Sequence, residues 1–90
     1  MVTLRLVFQH LLKNMTKGIF NWTFSEVKDF LKENGFIYSY TKGSHYFYTG
    51  NCNHEPRIVQ VPFHGSKTLK PRTFKAIVKQ SGISLEEWLK

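Results

Sequence analysis

Apolar residues recur at helical spacing just after residue 20. The stripe consists of Phe24, Val27, Phe30 and Leu31. It follows Thr23 and Glu26, which have the T-x-x-E spacing of a capping box, in which each residue satisfies a free backbone N–H of the first turn. Gly35 comes directly after Asn34, where a glycine favours the end of a helix. The pattern predicts a helix over residues 24–34.

A second helical stripe lies in the last quarter of the chain. It consists of Phe74, Ile77 and Val78. Pro71 stands where its fixed φ suits a first helical position, and Gly82 is placed to end the helix. Ser84 and Glu87 repeat the capping-box spacing. They predict a short last helix over residues 84–89, with its tryptophan as an anchor in the core or at its rim.

Between the two stripes the apolar period changes to that of strands. Residues 36–41 and 44–49 are rich in aromatic and β-branched types. Lys42 and Gly43 separate them, which predicts a tight hairpin with a positive φ at the glycine. Simple alternation then places Tyr38 with Tyr40 on one face of the first strand, and Tyr46 with Tyr48 on one face of the second. These tyrosines are candidates for stacking on RNA bases or for core packing.

A polar, turn-forming segment over residues 50–56 is expected to be a loop before a third strand. Residues 57–63 alternate again, and Pro62 marks the end of that strand or an edge of the sheet. The order of elements predicts an α+β domain with the sequence α-β-β-β-α. Its three strands form an antiparallel meander, and both long helices cover one face, because neither can bury its stripe alone.

Residues 1–20 are expected to be an N-terminal extension to a domain over residues 21–90. Their apolar stripe consists of Leu4, Val7, Phe8, Leu11, Leu12 and Met15. The spacing predicts a helix that ends at Gly18 and packs on the domain or on a second copy. Two alternatives stay open: a surface-seeking amphipathic helix, or an upstream leader with Met15 as the natural start.

Charge narrows the classes of partner. The 90 residues include 13 Lys and Arg against six Asp and Glu, for a net charge of +7 and a pI near 9.8. This balance favours a polyanion: RNA, DNA, an anionic membrane or an acidic protein. The lone Cys52 excludes an intrachain disulfide, and no run of 18 apolar residues could span a membrane. A cytoplasmic protein without a metal or cofactor is expected.

The basic residues concentrate between Arg57 and Gln80, where no acid occurs. A solvated surface usually mixes signs, so this segment is interpreted as a nucleic-acid contact, with an acidic protein partner as the alternative. Lys70 stands at a helix N-terminus, which also favours phosphate. The candidate RNA-binding residues, including three in the hairpin turn, are Lys42, Gly43, Ser44, His64, Lys67, Lys70, Arg72, Lys75 and Lys79.

His45 is the candidate catalytic residue, next to the glycine turn at the start of the second strand. An imidazole can take up and return a proton near neutrality, so it could deprotonate a ribose 2′-hydroxyl for attack on the adjacent phosphate. Lys42 and the backbone N–H groups of the turn could hold that phosphate. His64 could act as general acid or bind phosphate. From the residues alone, a structural histidine at position 45 is the commoner case.

Several short segments resemble the HicA family of small toxins from toxin–antitoxin pairs. They are Glu33-Asn34-Gly35-Phe36, Lys42-Gly43-Ser44-His45-Tyr46-Phe47, Val61-Pro62-Phe63-His64-Gly65, Leu69-Lys70-Pro71 and Ile77-Val78-Lys79-Gln80-Ser81-Gly82-Ile83. The resemblance runs from about Trp22 to Leu89. It implies a fold similar to double-stranded-RNA-binding domains and mRNA cleavage without a cofactor. It also implies catalysis by the histidine of the Gly-Ser-His motif, which falls on His45, and a HicB antitoxin that covers the active site.

The sequence therefore predicts an endoribonuclease toxin that cleaves mRNA and inhibits translation and growth. The alternative is a non-catalytic RNA-binding module of the same fold, which would bind RNA through its phosphates and leave it intact. A third possibility is a protein-interaction module whose basic surface meets an acidic partner.

Overall fold

The computed structural model describes residues 18–90 as a three-stranded antiparallel sheet with helices before and after it. The elements are α1 (Phe24–Glu33), β1 (Ile37–Lys42), β2 (His45–Cys52), β3 (Glu55–Pro62), α2 (Pro71–Ser81) and α3 (Leu85–Trp88). The strands lie in the order β1-β2-β3. This confirms the α+β, α-β-β-β-α fold similar to double-stranded-RNA-binding domains. The helix predicted for residues 1–20 lies almost wholly outside the described residues and stays a prediction.

The helix ends form as the sequence indicates. Thr23 and Glu26 make both bonds of the capping box: the Thr23 N–H donates to Glu26 Oε1 at 3.0 Å, and the Glu26 N–H donates to Thr23 Oγ1 at 3.3 Å. Asn34 caps α1 rather than extending it. Gly82 ends α2 with a left-handed φ of 75°, a conformation that glycine adopts without a steric cost.

Four aromatic side chains pack on one another in the core between the helices. They are Trp22, Phe30, Phe74 and Trp88. Trp88 stacks on Phe30 at a centroid distance of 3.9 Å, and Trp22 stacks on Phe74 at 4.8 Å. The Trp88 indole N–H donates to the buried Ser81 hydroxyl at 3.3 Å, which gives its polar atom a partner. The last tryptophan is therefore a core anchor, as expected.

The segment 50–56 is not the loop that the sequence suggested. β2 continues to Cys52, and β3 begins at Glu55. The two-residue turn between them has positive φ at both Asn53 (52°) and His54 (68°), the geometry of a type I′ hairpin. Position 50, inside β2, requires a glycine because the Phe36 ring packs against it, and a Cβ there would come within 2.7 Å of that ring.

A β-bulge in β1 separates two tyrosines that alternation had placed together. The register shifts between Tyr38, opposite Tyr48, and Tyr40, opposite Phe47. The extra residue of the bulge rotates the following side chains to the other face. The prediction of one shared face for Tyr38 and Tyr40 is therefore wrong, whereas Tyr46 and Tyr48 do lie on the same face.

The two faces of the sheet have different environments. The helices cover the face that carries Tyr48, Val59 and Val61, all of them buried. Burial raises the pKa of the Tyr48 hydroxyl, and the nearby Tyr46 and Tyr38 hydroxyls raise it further. The described residues leave the opposite face, here called the open face, without a covering layer. Its apolar and aromatic members are Ile37, Tyr40, Phe47 and Ile58.

Helix α2 lies beside the outer edge of β3 and closes that edge. The backbone N–H of Gln60 points away from β2 and donates to Gln80 Oε1 at 2.8 Å. Pro62, which has no N–H to offer, is tolerated at the same edge. Within residues 18–90, none of the helices has the length and apolarity that a membrane crossing requires.

Candidate active site

His45 is the first residue of β2 and follows a tight turn. Of the two turn residues between β1 and β2, only Gly43 has a positive φ, 62°, as in a type II′ hairpin turn. The turn sets Lys42 opposite His45 in the strand register. His45 is half-buried, so its ring is held by its surroundings and is still open to solvent.

The His45 ring lines a cleft between the sheet and α2. The cleft has a volume of about 480 Å³. Its walls come from β2, β3, the loop that follows β3, and one side of α2. The lining residues are Ser44, His45, Gln60, Pro62, His64, Arg72, Thr73, Ala76, Ile77 and Gln80. A cleft of this size can hold a nucleotide-sized group.

A direct hydrogen bond fixes the orientation of the imidazole. The side-chain amide nitrogen Nε2 of Gln60 lies 2.7 Å from His45 Nδ1. Gln60 sits two residues before Pro62, the register partner of His45, so both side chains lie on the open face. The other ring nitrogen, Nε2, is the one left for a substrate, and the Gln60 contact decides whether it carries a proton.

Arg72 and His64 bring further nitrogen donors to the same cleft. Arg72 lies in the first turn of α2, where no acidic residue occurs. An α-helix has about 3.6 residues per turn, so one side of α2 carries Arg72, Ala76 and Gln80. The neighbouring side, which lies farther from the sheet, carries Lys75 and Lys79. An exposed basic stripe on α2 therefore borders the cleft at Arg72.

The predicted site residues divide into two groups. His45, Ser44, His64 and Arg72 line the cleft together. Gly43 lies in the adjoining turn, and Lys42 ends β1 opposite His45. The remaining four are exposed and do not line it: Lys67, Lys70, Lys75 and Lys79. Arg57 faces elsewhere, because its guanidinium packs at Gly82 and lies 3.5 Å from Glu55 Oε2.

Carboxylates are kept away from the cleft. The six acidic residues lie on α1, at the start of β3 and on α3, and none of them lines it. Among residues 18–90, no three His, Cys, Asp or Glu side chains converge as a metal site would require. The cleft therefore presents imidazole, guanidinium, amide and hydroxyl groups to whatever it binds.

Sequence reasoning missed the residues that complete the cleft. Gln60 and Gln80 are the main ones, because they orient the imidazole and attach α2 to β3. The alternation over residues 57–63 places Gln60 on the face opposite Val59 and Val61. The missing signal was the cross-strand register, which alone shows that His45 lies on that same face.

The fold and the cleft define a small basic α+β protein with an oriented imidazole beside a cationic helix. A family model, described as the HicA toxin of bacterial toxin–antitoxin systems, matches residues 24–83. The match covers 60 of the 90 residues, so the chain belongs to the HicA toxin family. Family membership makes it a toxin, with an antitoxin partner and an RNA target in general terms. A comparison with curated proteins finds no match.

Proposed function

We propose that this toxin is a metal-independent endoribonuclease that cleaves mRNA, with His45 as its general base. One observation carries the proposal: the oriented, half-buried His45 ring shares a cleft with His64 and Arg72 and with no carboxylate. Such a cleft attracts a phosphodiester and supplies two groups able to exchange protons. The activity would take place in the cytoplasm and would inhibit translation and growth, under control of a HicB-type antitoxin.

The reaction follows from the groups in the cleft. His45 removes the proton from a ribose 2′-hydroxyl, and the resulting oxygen attacks the adjacent phosphorus. The bond between phosphorus and the 5′ oxygen of the next nucleotide breaks, and His64 gives that oxygen a proton. The products are a 2′,3′-cyclic phosphate and a free 5′-hydroxyl. Arg72, Lys42 and the N–H groups of the hairpin turn stabilise the charge that develops on the phosphate.

Gln60 acts in this scheme as a positioning residue. A base needs a free lone pair on Nε2, so the neutral ring must hold its proton on Nδ1. The Gln60 atom 2.7 Å from Nδ1 is the amide nitrogen Nε2, which can only donate and would leave the ring proton on His45 Nε2. The scheme therefore uses the amide in the orientation half a turn away, in which Oε1 takes the place of Nε2 and accepts the Nδ1 proton. Gln60 then fixes both the ring and its reactive tautomer.

Substitutions at Gln60 separate this role from simple packing. Gln60→Leu keeps the size of the side chain but removes the hydrogen bond, and we expect kcat to fall between about tenfold and about a hundredfold with KM little changed. Gln60→Glu keeps an acceptor, and its charge favours the imidazolium, so its pH–rate profile should shift to higher pH and recover there. A Gln60→Leu enzyme with wild-type kcat would contradict the role, as would a Gln60→Glu enzyme that stays inactive at every pH.

Chelation tests the reaction class. Purified protein should degrade unstructured RNA in excess EDTA at the same rate as in its absence, because no step uses a metal. Loss of cleavage in EDTA would disprove the metal-free scheme. The alternative, a non-catalytic RNA-binding module, predicts that the RNA stays intact at any incubation time. Both functions predict binding that weakens with salt, so only turnover distinguishes them.

A further inference from the structure

We propose that the open face is a stacking platform for the bases of single-stranded RNA next to the cleavage site, with the ring pair of Tyr40 and Phe47 at its centre. The inference rests on the proposed function and deepens it by naming the form of RNA that the site takes. Cleavage requires only the cleft, whereas the platform is a second surface with chemistry of its own.

The Tyr40–Phe47 pair has the geometry of a preformed stack. The two rings are 4.4 Å apart between centroids, and their planes differ by 4°. Phe47 is half-buried, while the Tyr40 side chain is 50% exposed. The pair is therefore ordered by its own stacking and still presents aromatic surface to solvent. A base has two flat faces that can extend such a stack, whatever its sequence.

Exposed apolar residues extend this surface on both sides. Ile37 is 66% exposed and Ile58 is 63% exposed, and both share the open face with the ring pair. A sheet face with this much exposed apolar surface indicates a binding surface. The β-bulge supports the same conclusion, because without it Tyr40 would point to the other face.

The platform is continuous with the cleft. Phe47 follows His45 by two residues on the same face of β2, a separation of roughly 7 Å along an extended strand. A base close in sequence to the phosphate held near His45 would therefore lie over the ring pair.

Charge favours RNA over a protein on this face. Strand register places Lys42 and His45 at one end of the open face, and no carboxylate of the described strands lies on it. Single-stranded RNA is favoured over duplex RNA, because a duplex stacks its bases on each other and presents sugars and phosphates instead. A platform of isoleucines and rings gives those polar groups no partners.

The decisive experiment measures binding of the full chain to RNA that it cannot cut. A fluorescent single-stranded RNA with methylated 2′-hydroxyls lacks the nucleophile, so anisotropy titrations report affinity alone. We expect Tyr40→Ala to weaken binding between about fivefold and about a hundredfold. Tyr40→Phe and Tyr40→Trp should keep wild-type affinity, because they keep a ring. A duplex with the same chemistry should bind the wild type and Tyr40→Ala equally.

Tyr38 provides a matched control on the other face. It is 51% exposed against 50% for Tyr40, so Tyr38→Ala removes an equally exposed ring from the same strand. We expect that variant to bind RNA as the wild type does. Abasic RNA should bind the wild type as weakly as intact RNA binds Tyr40→Ala, and the variant should not distinguish the two RNAs.

Two results would overturn the platform. One is equal RNA binding by Tyr40→Ala and Tyr38→Ala. The other is a Tyr40→Ala protein that binds RNA normally but loses its antitoxin, which would make the open face a protein interface. Cleavage of unmodified RNA by the wild-type protein is measured in a separate assay. Cleavage without any dependence of binding on Tyr40 disproves the platform alone, whereas absence of cleavage disproves the proposed enzyme.

Discussion

His45→Ala is expected to reduce RNA cleavage by at least about a hundredfold, because a positioned general base contributes about 10²–10⁴ to a proton-transfer step. The ring is half-buried on the open face and contributes little to the core, so the variant should fold. Its circular dichroism spectrum and unfolding midpoint should match those of the wild type. In cells, wild-type expression should arrest growth and expression of the variant should not.

A second histidine supplies the control for this change. His54 lies in the turn between β2 and β3, at the far end of β2 from His45, and has a φ of 68°. His54→Asn suits that left-handed conformation and removes an imidazole without touching the cleft. It should cleave at the wild-type rate. Equal activity of His45→Ala and His54→Asn would show that the base lies elsewhere.

Trp88→Ala is expected to destabilise the fold by about 3–5 kcal/mol, the usual cost of removing a large buried aromatic side chain. Trp88 is fully buried and contacts the rings of Phe30, Trp22 and Phe74. A domain of this size has a total stability of about 5–13 kcal/mol, so the loss is a large fraction of it. Urea unfolding followed by circular dichroism should show the midpoint moving far toward zero denaturant.

Phe20→Ala is the control for the loss of an aromatic ring as such. The Phe20 side chain is 58% exposed, so its removal should change the free energy of unfolding by no more than about 0.5 kcal/mol. A Trp88→Ala protein as stable as Phe20→Ala would contradict the packing described here. Trp88 lies beyond residues 24–83, which match the family model, so this comparison tests a core contact that the family match does not cover.

The helices and the order of elements could be predicted from the sequence because their signals are local. The capping box at Thr23, the proline at position 71 and the glycine at position 82 act within a few residues of themselves. The sheet was predicted less well. The bulge between Tyr38 and Tyr40 has no local sequence mark, and Asn53 and His54 form a turn in a stretch that was expected to be a loop.

The candidate site divides in the same way, into residues with a local sequence signal, which could be predicted, and residues placed by strand register, which could not. His45 stood out because a glycine turn precedes it, and the resemblance to a family raised its importance. Gln60 did not stand out, because its contact with His45 joins residues 15 apart and depends on strand register. Gln80 could not be predicted for the same reason, because its hydrogen bond with the Gln60 backbone N–H forms only when α2 lies against the edge of β3.

The chemical nature of the cut ends tests the central claim most directly. In the EDTA reaction, attack by a 2′-hydroxyl that His45 activates must leave a 2′,3′-cyclic phosphate on one fragment and a 5′-hydroxyl on the other. Mass spectrometry of a short RNA cut by the wild-type protein should show those two ends and no others. Fragments that carry a 3′-hydroxyl and a 5′-phosphate would mean that water, and not the ribose, attacks the phosphorus, and would contradict the mechanism.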